Sequence, residues 1–587
     1  MCGLCGTFAP DGEVDRTIAA TMHSRLTHRG PDETYSLNTP VLSAKLGRLG
    51  MTALKDGWQP AEDASGRFAA ITNGEIYNAA ELRTRLGMER TANRVDVAVI
   101  PELFARYGPA GLALIDGQFA TAIHDRAENA LHLGRDRFGI CPLYYTGQGG
   151  RTHFCSELGP LVRSVPGSGR LDLGAVDQYL QLGNIVPPRT LVRDVRAVPP
   201  GTVVRFGDGG HRTVRYWRYG EFETGGAPVT AEEIRHGVRQ AVRDRLRADV
   251  EIGAYLSGGF DSSTLVVEAA AALGKPLRTY SAVFGDALLD EHRFQREIAE
   301  AVGSEHVEVS CLAKDIATEF ERMVRHCCSP QRETYNVAAL MLSREVRFSG
   351  IKGVLSGEGA DELFFGYDSY AFDGQRRKPH QRREENESAW GRADFAWEVD
   401  WRKVDGRRAV LTPESREALG GQEFWRDRLI PFSDDEVSAL TPMQLRSVAD
   451  VSVQLGGHLL GDHGDAMLMA NSVEGRYPFL GNPVVELALR IGDEEKVVDF
   501  EGKACLKSAY AGIVPESVLR RAKQGFTAHA LSALDQDDLM DGWRDLVAAG
   551  GVFRADALDR IEAGGKGDAR LSVISISAVI DELGLRT

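Results

Sequence analysis

The fold of the second half of this 587-residue chain is decided by one stretch, Ser257-Gly258-Gly259-Phe260-Asp261-Ser262-Ser263. Before it, apolar residues alternate over 250–256, which predicts a β-strand, and helical spacing follows from Ser263. The two glycines therefore lie at a strand-to-helix turn, where backbone N–H groups and a helix N-terminus favour phosphate oxygens. A Walker A loop needs a lysine after its last glycine, and its absence here excludes the usual γ-phosphate loop.

The pattern around this loop predicts an α/β domain with a parallel sheet. A second loop, Ser356-Gly357-Glu358-Gly359-Ala360-Asp361-Glu362, also follows an apolar strand and would face the same nucleotide. Much helix is expected after residue 430. Strand-like and helical runs alternate as βα units do, at 251–256, 263–273, 279–283, 293–302, 337–347 and 353–355.

The first half has a different pattern, with short apolar runs broken by Gly, Pro, Asn and Asp. Runs at 67–72, 117–124 and 202–206 predict strands joined by turns, with a few helices. A polar, glycine-rich passage then ends at Thr230-Ala231-Glu232-Glu233, a capping box that opens a helix. These patterns predict two domains of different architecture.

The domain boundaries follow from the glycine-rich passage. We place a first domain at residues 1–217, a linker at 218–229 and a second domain at 230–587. Residues 374–410 interrupt the second domain with a basic run followed by an acidic one, and we interpret them as a solvated or mobile insertion.

Composition narrows the function classes. Lysine and arginine number 69 against 84 aspartate and glutamate, a net charge of −15 that argues against a broad nucleic-acid surface. No run approaches the roughly 20 apolar residues that span a bilayer, and no signal peptide pattern opens the chain, so we expect a cytoplasmic protein without a membrane partner. The 8 cysteines are thinly scattered, which predicts free thiols.

Cys2 could act chemically either as a metal ligand or as a nucleophile. Cys2 and Cys5 form a CxxC, but no second pair stands at zinc-finger spacing, which disfavours a metal site. Removal of Met1 would leave Cys2 with a free α-amine beside its thiol. Because that amine titrates near 7.7 to 8.0 and a thiol near 8.5, the amine can take the thiol proton without a separate histidine.

Four motifs follow Cys2 in order. They are His28-Arg29-Gly30-Pro31-Asp32, Arg48-Leu49, Asn73-Gly74-Glu75-Ile76-Tyr77-Asn78, and Gly134-Arg135-Asp136-Arg137-Phe138-Gly139 with Pro142-Leu143-Tyr144. Together with Cys2 these motifs resemble the glutaminase domain of class II amidotransferases. The resemblance implies an N-terminal-nucleophile αββα sandwich that releases nitrogen from glutamine at Cys2.

The resemblance also implies roles for individual residues. Asn73 and the Gly74 amide would stabilise the oxyanion, and Arg48 would grip the glutamine α-carboxylate as a fork donor. Where the family carries a polar residue and a glutamate around its aspartate, this chain has Val95-Asp96-Val97-Ala98, which leaves a glutamine analogue open as the donor. The implied glutamine contacts are Arg48, Leu49, Asn73, Gly74, Glu75 and Asp96.

The Ser257–Ser263 loop resembles the pyrophosphate loop of N-type ATP pyrophosphatases, which cleave ATP between the α and β phosphates to make an acyl-adenylate. Two further stretches match the asparagine synthetase family: Glu474-Gly475-Arg476-Tyr477-Pro478-Phe479-Leu480, and Gly502-Lys503 with Lys523-Gln524-Gly525-Phe526 downstream. The resemblance thus covers nearly the whole chain and implies an adenine-nucleotide α-hydrolase-like second domain.

This second resemblance implies ATP and Mg²⁺ as cofactors. Asp261 and Asp361 would hold the metal, Lys503 would neutralise phosphate charge, and Glu358 would orient or deprotonate the amine. Glu474 and Arg476 are the candidates for binding the acceptor acid. The implied ATP and pyrophosphate contacts are Leu256, Ser257, Gly258, Gly259, Asp261, Ser262, Ser263, Ser356, Gly357 and Lys523.

The acceptor segment departs most from the family. Where the family has a lysine, an aspartate and an arginine before Met-Ser-Met-Ala, this chain reads Asp462-His463-Gly464-Asp465-Ala466, and Pro-Phe-Leu-Asp ends instead in Gly481. A site without these cations suits a larger or less charged acid better than aspartate.

We therefore expect glutamine-dependent amidation of a carboxylic acid, with AMP and pyrophosphate as products. A natural-product acid is slightly preferred as acceptor, and asparagine synthesis proper stays open. A catalytically dead regulatory or scaffolding relative is the alternative of another class, which the retention of Cys2, the Ser257–Ser263 loop and Lys503 disfavours. A homodimer is left open.

Overall fold

The computed structural model describes residues 1–207, 210–223, 227–286, 289–375, 382–399, 403–521, 525–529, 531, 537–561 and 569–587. Within these residues, no helix combines the length and the apolar character that crossing a membrane requires.

The first half contains two antiparallel sheets packed face to face, with helices on the outer faces. This is the predicted αββα sandwich. One sheet has the spatial order Val195–Ala197, Tyr144–Gln148, Arg151–Cys155, Gly3–Phe8, Leu42–Arg48, Glu33–Asn38. The other has the order Gly210–Arg215, Thr202–Gly207, Ala130–Arg135, Gly117–Asp125, Phe68–Ile76, Ala61–Glu62. The helices are Arg16–Ser24, Ala79–Leu86, Val99–Tyr107, Leu158–Ser164 and Leu173–Leu182, with 3₁₀ turns at Asp96–Ala98 and Gly108–Leu114.

Strands that are far apart in the sequence pair within the sandwich, and the central ones are buried on both faces. The strand Gly3–Phe8 is buried on both faces and pairs with Leu42–Arg48, so Gly3 lies opposite Gly47. The strand Phe68–Ile76 is equally buried and pairs with Gly117–Asp125 along its whole length. The first residues of the chain are thereby held against the second sheet.

The second half is built on the predicted parallel sheet, with the order Glu305–Ser310, Arg278–Val283, Ile252–Tyr255, Gly353–Leu355, Glu474–Arg476. The capping box at Thr230 is present and opens the helix Ala231–Leu246. Further helices are Phe260–Leu273, His292–Val302, Ala313–Cys327, Tyr335–Phe348, Ala360–Leu363, Asp368–Gln375, Arg383–Trp390, Val404–Arg408, Pro413–Leu419, Asp434–Ser438, Pro442–Ala449, Met467–Met469, Asn482–Arg490, Asp493–Lys496, Ala504–Ala509, Glu516–Leu519, Asp537–Ala549, Ala557–Arg560 and Ala569–Leu583, with 3₁₀ turns at Phe424–Arg426 and Pro478–Leu480.

A π-helix runs from Asp450 to Ala466 between the helices Pro442–Ala449 and Met467–Met469. Its wider turn changes which residues share a face, since side chains about 4 to 5 positions apart align. π-Helical segments are rare and often occur at functional sites. This segment forms one wall of the cavity described below.

The prediction of a solvated insertion at 374–410 is wrong for the part around Trp390 and Trp397. Trp390 and Trp397 are fully buried there, and the Trp397 indole N–H donates to Asp450. Within this packed aromatic core Trp390 also meets Phe395 edge-on. Residues 376–381 and 400–402 lie outside the described residues.

Candidate active sites

Cys2, Asn73 and Gly74, predicted to form the glutaminase site, lie together, since Cys2 precedes the strand Gly3–Phe8 and the other two lie on the strand Phe68–Ile76 of the facing sheet. The Cys2 backbone N–H donates to Oδ1 of Asn73. Nδ2 of Asn73 is buried without a hydrogen-bond partner among the described residues, so this amide has a donor available for an oxyanion. A Cβ at Gly74 would lie 2.2 Å from the Gln118 carbonyl oxygen, so glycine is required for this approach of the strands.

The thiol of Cys2 is not yet activated in this arrangement. Burial raises its pKa, although the Met1 ammonium and a backbone hydrogen bond from Leu49 act in the opposite direction. With Met1 in place the nitrogen of Cys2 is a peptide nitrogen. The ammonium of Met1 is buried and forms an ion pair with Glu474. The α-amine predicted to take the thiol proton exists only once Met1 is removed.

Arg48 is buried and held by acceptors on several sides. Nη1 donates to Glu33 at 2.8 Å and Nη2 donates to the Thr52 carbonyl at 2.7 Å. Glu33 itself is about half exposed. A carboxylate therefore already occupies one side of the Arg48 fork, and a substrate carboxylate that binds Arg48 would compete with Glu33 or share the fork with it.

Glu75 and Asp96 form a buried acidic pair. Burial and the Asp96 charge raise the pKa of Glu75, and burial raises the pKa of Asp96. Asp96 accepts the Ile76 backbone N–H at 2.5 Å. A cation placed between two such carboxylates would favour their charged forms, which suits the ammonium group of an amino acid.

The strand Glu474–Arg476 lies between the two halves of the chain. Arg476 donates to Glu474 at 2.8 Å, and its Nη2 lies 3.6 Å from Glu75. Gln118 donates to the Gly475 carbonyl at 3.0 Å. Glu474 and Arg476, the predicted acceptor contacts, are thus buried beside the predicted glutaminase residues. They do not line the cavity of about 640 Å³ that is described below, where the nucleotide is expected to bind.

The predicted phosphate loop has the geometry of an anion site. Ser257 follows the strand Ile252–Tyr255, and the helix Phe260–Leu273 begins three residues later. The hydroxyls of Ser257 and Ser262 lie 3.0 Å apart across the turn. Gly258 has a φ of +78°, which an L side chain rarely adopts. The loop backbone at Gly259 is thereby held in place at the helix N-terminus.

The second loop packs directly against the first. A Cβ at Gly357 would lie 3.3 Å from both Cβ of Asp261 and the backbone N of Ser262. The Ser356 N–H donates to the Arg476 carbonyl at 2.9 Å, which continues the sheet into this loop. Leu256 and Ser263 are fully buried behind the two loops.

Asp261, Asp361 and Lys503 converge where the two loops meet. Nζ of Lys503 lies 2.6 Å from Asp261 and 2.7 Å from Asp361, and Lys503 is only 4% exposed. Lys503 has a φ of +59° at the start of the helix Ala504–Ala509. This backbone conformation is unusual for lysine, and the two ion pairs hold its side chain toward the loops.

Glu358 lies in the second loop beside a histidine of the π-helix. Oε1 of Glu358 is 3.8 Å from Nε2 of His463, and Oε2 is buried without a hydrogen-bond partner among the described residues. Burial raises the pKa of Glu358, although the Ser356 side chain lowers it. Such a carboxyl is poised to receive a proton or to hydrogen-bond an incoming amine.

These residues line a cavity of about 640 Å³. Each arginine or lysine that lines it in the described part of the chain has a carboxylate partner within 4 Å. The pairs are Lys503 with Asp261 and Asp361, Lys507 with Glu501, Arg332 with Glu333, Arg520 with Glu516, and Arg521 with Glu291. Lys523, predicted to contact ATP, lies outside the described residues.

One part of the cavity wall consists of aromatic, apolar and neutral polar residues. Tyr335 meets the rings of His463 and Phe526 at centroid distances of 5.1 and 6.0 Å. Leu459 and Gln454 line the cavity from the same π-helix as His463.

The sequence analysis predicts an altered acceptor site partly from the departures at Ala466 and Gly481. The structure corrects this reason, because neither residue lines the cavity. Ala466 lines a separate cavity of about 100 Å³ between the two halves. A Cβ at Gly481 would lie 2.9 Å from Arg245, away from the nucleotide cavity. Of the residues that depart from the family pattern there, His463 does line the cavity. Its substitution for a lysine was visible in the sequence, but its position on the cavity face depends on the π-helix.

The fold and the two sites together define a glutamine-dependent carbon–nitrogen ligase. The family profiles agree with this class: the glutamine amidotransferase domain matches residues 1–217 and asparagine synthase matches residues 233–579. The chain belongs to the family of glutamine-hydrolysing asparagine synthetases.

Several relatives match along most of this chain. Asparagine synthetase [glutamine-hydrolyzing] 1 of Bacillus subtilis is 28% identical over 562 residues, and a putative asparagine synthetase of Mycobacterium tuberculosis is 30% identical over 576 residues, each match covering 90% of this chain and 87% of the relative. The amidase chyE of Penicillium rubens is 24% identical over 604 residues, 90% of this chain and 88% of its own.

A solved structure also shares similarity with part of the chain. The glutamine phosphoribosylpyrophosphate amidotransferase from B. subtilis has a TM-score of 0.29 at 15% identity, covering 53% of this chain and 81% of its own. That likeness is too slight to support an argument.

Proposed function

We propose that the second site adenylates a carboxylic acid with ATP, and that nitrogen released at Cys2 converts the acyl-adenylate to an amide. The observation that carries this proposal is the convergence of Asp261, Asp361 and Lys503 beside Glu358, where two glycine-rich loops meet. The loops would hold the phosphates, and Lys503 would neutralise charge that develops on them. Glu358 would accept a proton from the attacking nitrogen.

Mg²⁺ fits this donor set. Asp261 and Asp361 offer hard carboxylate oxygens from two loops around one point, which Lys503 Nζ occupies. Mg²⁺ is commonly held by one or two carboxylates together with substrate phosphates. When bound, the metal would screen phosphate charge, and Lys503 would then turn toward the phosphates.

At the first site, we propose that Cys2 attacks the glutamine amide after Met1 is removed. The unpartnered Nδ2 of Asn73 and the Gly74 amide would stabilise the oxyanion. Glu75 and Asp96 would face the glutamine ammonium, and Arg48 its carboxylate. Intact-mass measurement of the purified enzyme should show a mature chain that begins at Cys2.

We further propose that the acceptor is larger or less charged than aspartate, and a natural-product acid fits this description. The described cations of the cavity wall already have carboxylate partners, so a second substrate carboxylate meets no unpaired cation among the described residues that line the cavity. The uncharged wall of Tyr335, Leu459 and Phe526 suits an apolar group.

Asparagine synthesis is the second candidate. It is favoured by matches of 28–30% identity to proteins named asparagine synthetase along 90% of the chain. Arg332 and Glu333, which lie 3.6 Å apart on the cavity wall, could hold the two charges of an amino acid.

An isotope experiment tests the adenylation step. The enzyme is given glutamine, ATP and an acid whose carboxylate carries ¹⁸O. Acyl-adenylate formation leaves one carboxylate oxygen on the AMP phosphate, so mass spectrometry should find one ¹⁸O in AMP. Label in inorganic phosphate, together with ADP, would contradict the proposal.

A further inference from the structure

His463 and Glu358 lie close together at the cavity, although they belong to different elements of the fold. His463 lies on the π-helix Asp450–Ala466 and Glu358 on the loop after the strand Gly353–Leu355. Nε2 of His463 is 3.8 Å from Oε1 of Glu358, and both side chains are about 15% exposed. A closure of about 1 Å would make this contact a hydrogen bond, and catalytic hydrogen bonds are often long before substrate binds.

A chain of buried amides fixes the tautomer of His463. Nδ1 of His463 lies 2.8 Å from Oδ1 of Asn336, and Nδ2 of Asn336 donates to Oε1 of Gln331. Gln331 is in turn fixed by Ser575, which accepts its backbone N–H and donates to its carbonyl, at 2.9 and 2.8 Å. Because Oδ1 of Asn336 can only accept, Nδ1 of His463 carries the hydrogen.

The other ring nitrogen then has its lone pair directed toward Glu358. Burial lowers the pKa of His463 to about 3, so the ring is neutral near pH 7. A neutral imidazole protonated at Nδ1 offers Nε2 only as an acceptor. A carboxylate at Glu358 has no hydrogen to donate to it, whereas a protonated Glu358 has one.

We infer that His463 is a positioning residue for Glu358, which accepts its hydrogen bond only after Glu358 has taken a proton from the attacking nitrogen. The inference rests on the proposed function. In that step ammonia forms a bond to the acyl carbon, and the carbon–oxygen bond to AMP breaks with its electron pair remaining on AMP. One proton of the nitrogen moves to Glu358, and its new O–H group donates to Nε2 of His463.

This contact selectively stabilises the state after proton transfer. The hydrogen bond directs the proton away from the nitrogen that released it, which opposes its return. Adenylation precedes this step and does not need Glu358 to change its proton. The role is therefore distinct from a packing role, which would affect both half-reactions.

Packing is the competing explanation, because the His463 ring also contacts Tyr335 and Phe526 at centroid distances of 5.1 and 5.9 Å. His463→Phe keeps a ring between these two residues and removes both nitrogens. His463→Gln retains an amide oxygen that can accept from Glu358 and an N–H that can donate to Asn336. The pair of variants separates the acceptor function from the ring.

The experiment measures both half-reactions of the full-length enzyme. ATP–pyrophosphate exchange is first measured with aspartate, benzoate and 3-phenylpropionate, and the fastest acid is carried forward to amide formation with ammonium chloride. We expect His463→Phe to lower kcat for the amide by about 10- to 100-fold, part of the contribution typical of general base catalysis. Exchange and KM for ATP should stay within about twofold, and His463→Gln should recover most of kcat.

The outcomes separate the two proposals. Equal kcat in His463→Phe and the unaltered enzyme would overturn the role of His463 alone. So would an equal loss of exchange and amide formation, or a failure of His463→Gln to recover activity beyond His463→Phe. If the unaltered enzyme supports no exchange with any acid while it hydrolyses glutamine, the proposed adenylation fails, and this inference fails with it.

Discussion

The two sites of the molecule differ in how many of their charged groups already have a partner within the protein. At the glutaminase site, Arg48 holds Glu33, Arg476 holds Glu474, and the Met1 ammonium is buried. The nucleotide cavity is open by comparison, with about 640 Å³ of space and one buried oxygen of Glu358 that has no hydrogen-bond partner among the residues that the structure describes. The first site is built around one small amino acid, whereas the second has room for a larger acid.

The comparison also shows where the two regions meet. The strand Glu474–Arg476 belongs to the parallel sheet, yet its side chains pair with glutaminase residues. The carbonyl of Arg476 accepts from Ser356, which opens the loop that carries Glu358. One residue thus contacts both sites, by its side chain and by its backbone. The predictions below separate the sites and then test this connection.

Removal of the Cys2 thiol should have the largest effect. We expect Cys2→Ala to lower glutamine-dependent amide formation by at least about 10⁴-fold, because the nucleophile is lost. Ammonia-dependent formation should stay within about twofold, since the second site is untouched. The measurement is amide production with glutamine and with ammonium chloride, compared by mass spectrometry.

Cys5→Ala is the matched control for this variant. Cys5 lies on the buried strand Gly3–Phe8, which begins directly after Cys2, and its thiol donates to the Ala19 carbonyl and not to a residue of the site. It should leave glutamine-dependent synthesis near the original rate. Glutamine-dependent synthesis that persists in Cys2→Ala would show that nitrogen is released elsewhere.

Asp261→Asn should affect the opposite site. Loss of this carboxylate removes a metal ligand and one partner of Lys503, and we expect acid-dependent pyrophosphate release to fall by about 10²- to 10³-fold. Glutamine hydrolysis, followed as glutamate release, should not change by more than about twofold. A matching loss of both activities would mean that the sites are not separable in this way.

Arg476→Met tests the connection between the sites. It removes the buried guanidinium that pairs with Glu474 and Glu75, and breaking a buried pair costs about 3 kcal/mol or more. We expect the thermal midpoint to fall and KM for glutamine to rise. Unfolding is followed by calorimetry, and KM by glutamate release.

The control is Arg544→Met, because Arg544 also contacts two carboxylates, Asp541 and Asp559, but at the surface. Its effect on the unfolding free energy should lie within about 1 kcal/mol. If the two variants unfold alike, the pairing of Arg476 with the glutaminase site has no energetic importance.

Much of the fold could be predicted from local pattern. The strands Ile252–Tyr255 and Gly353–Leu355 and the loops after them follow from short apolar runs that end in glycine, and these predictions are confirmed within a few residues. Loop chemistry of this kind is local, because the glycines and the helix start lie within one short segment.

The remaining features depend on contacts between distant segments. The family motif predicts Glu474 and Arg476 as acceptor contacts, whereas in the structure they pair with Met1 and Glu75, which lie far away in the sequence. The cavity position of His463 follows from the turn of a π-helix, which apolar periodicity does not reveal. The departures from the family at Ala466 and Gly481 predict an altered acceptor site, and neither residue lines the cavity of about 640 Å³.

The most direct test of the central claim is ATP–pyrophosphate exchange with a set of acids that includes aspartate, benzoate and 3-phenylpropionate. The α-carboxylate of aspartate gains no unpaired cation in the described cavity wall, and a lost charge-assisted bond is worth about 1.5 to 3 kcal/mol. We therefore predict kcat/KM for aspartate about 10- to 100-fold below that of the best larger acid. A kcat/KM for aspartate above that of every larger acid would contradict this account and identify the enzyme as an asparagine synthetase proper.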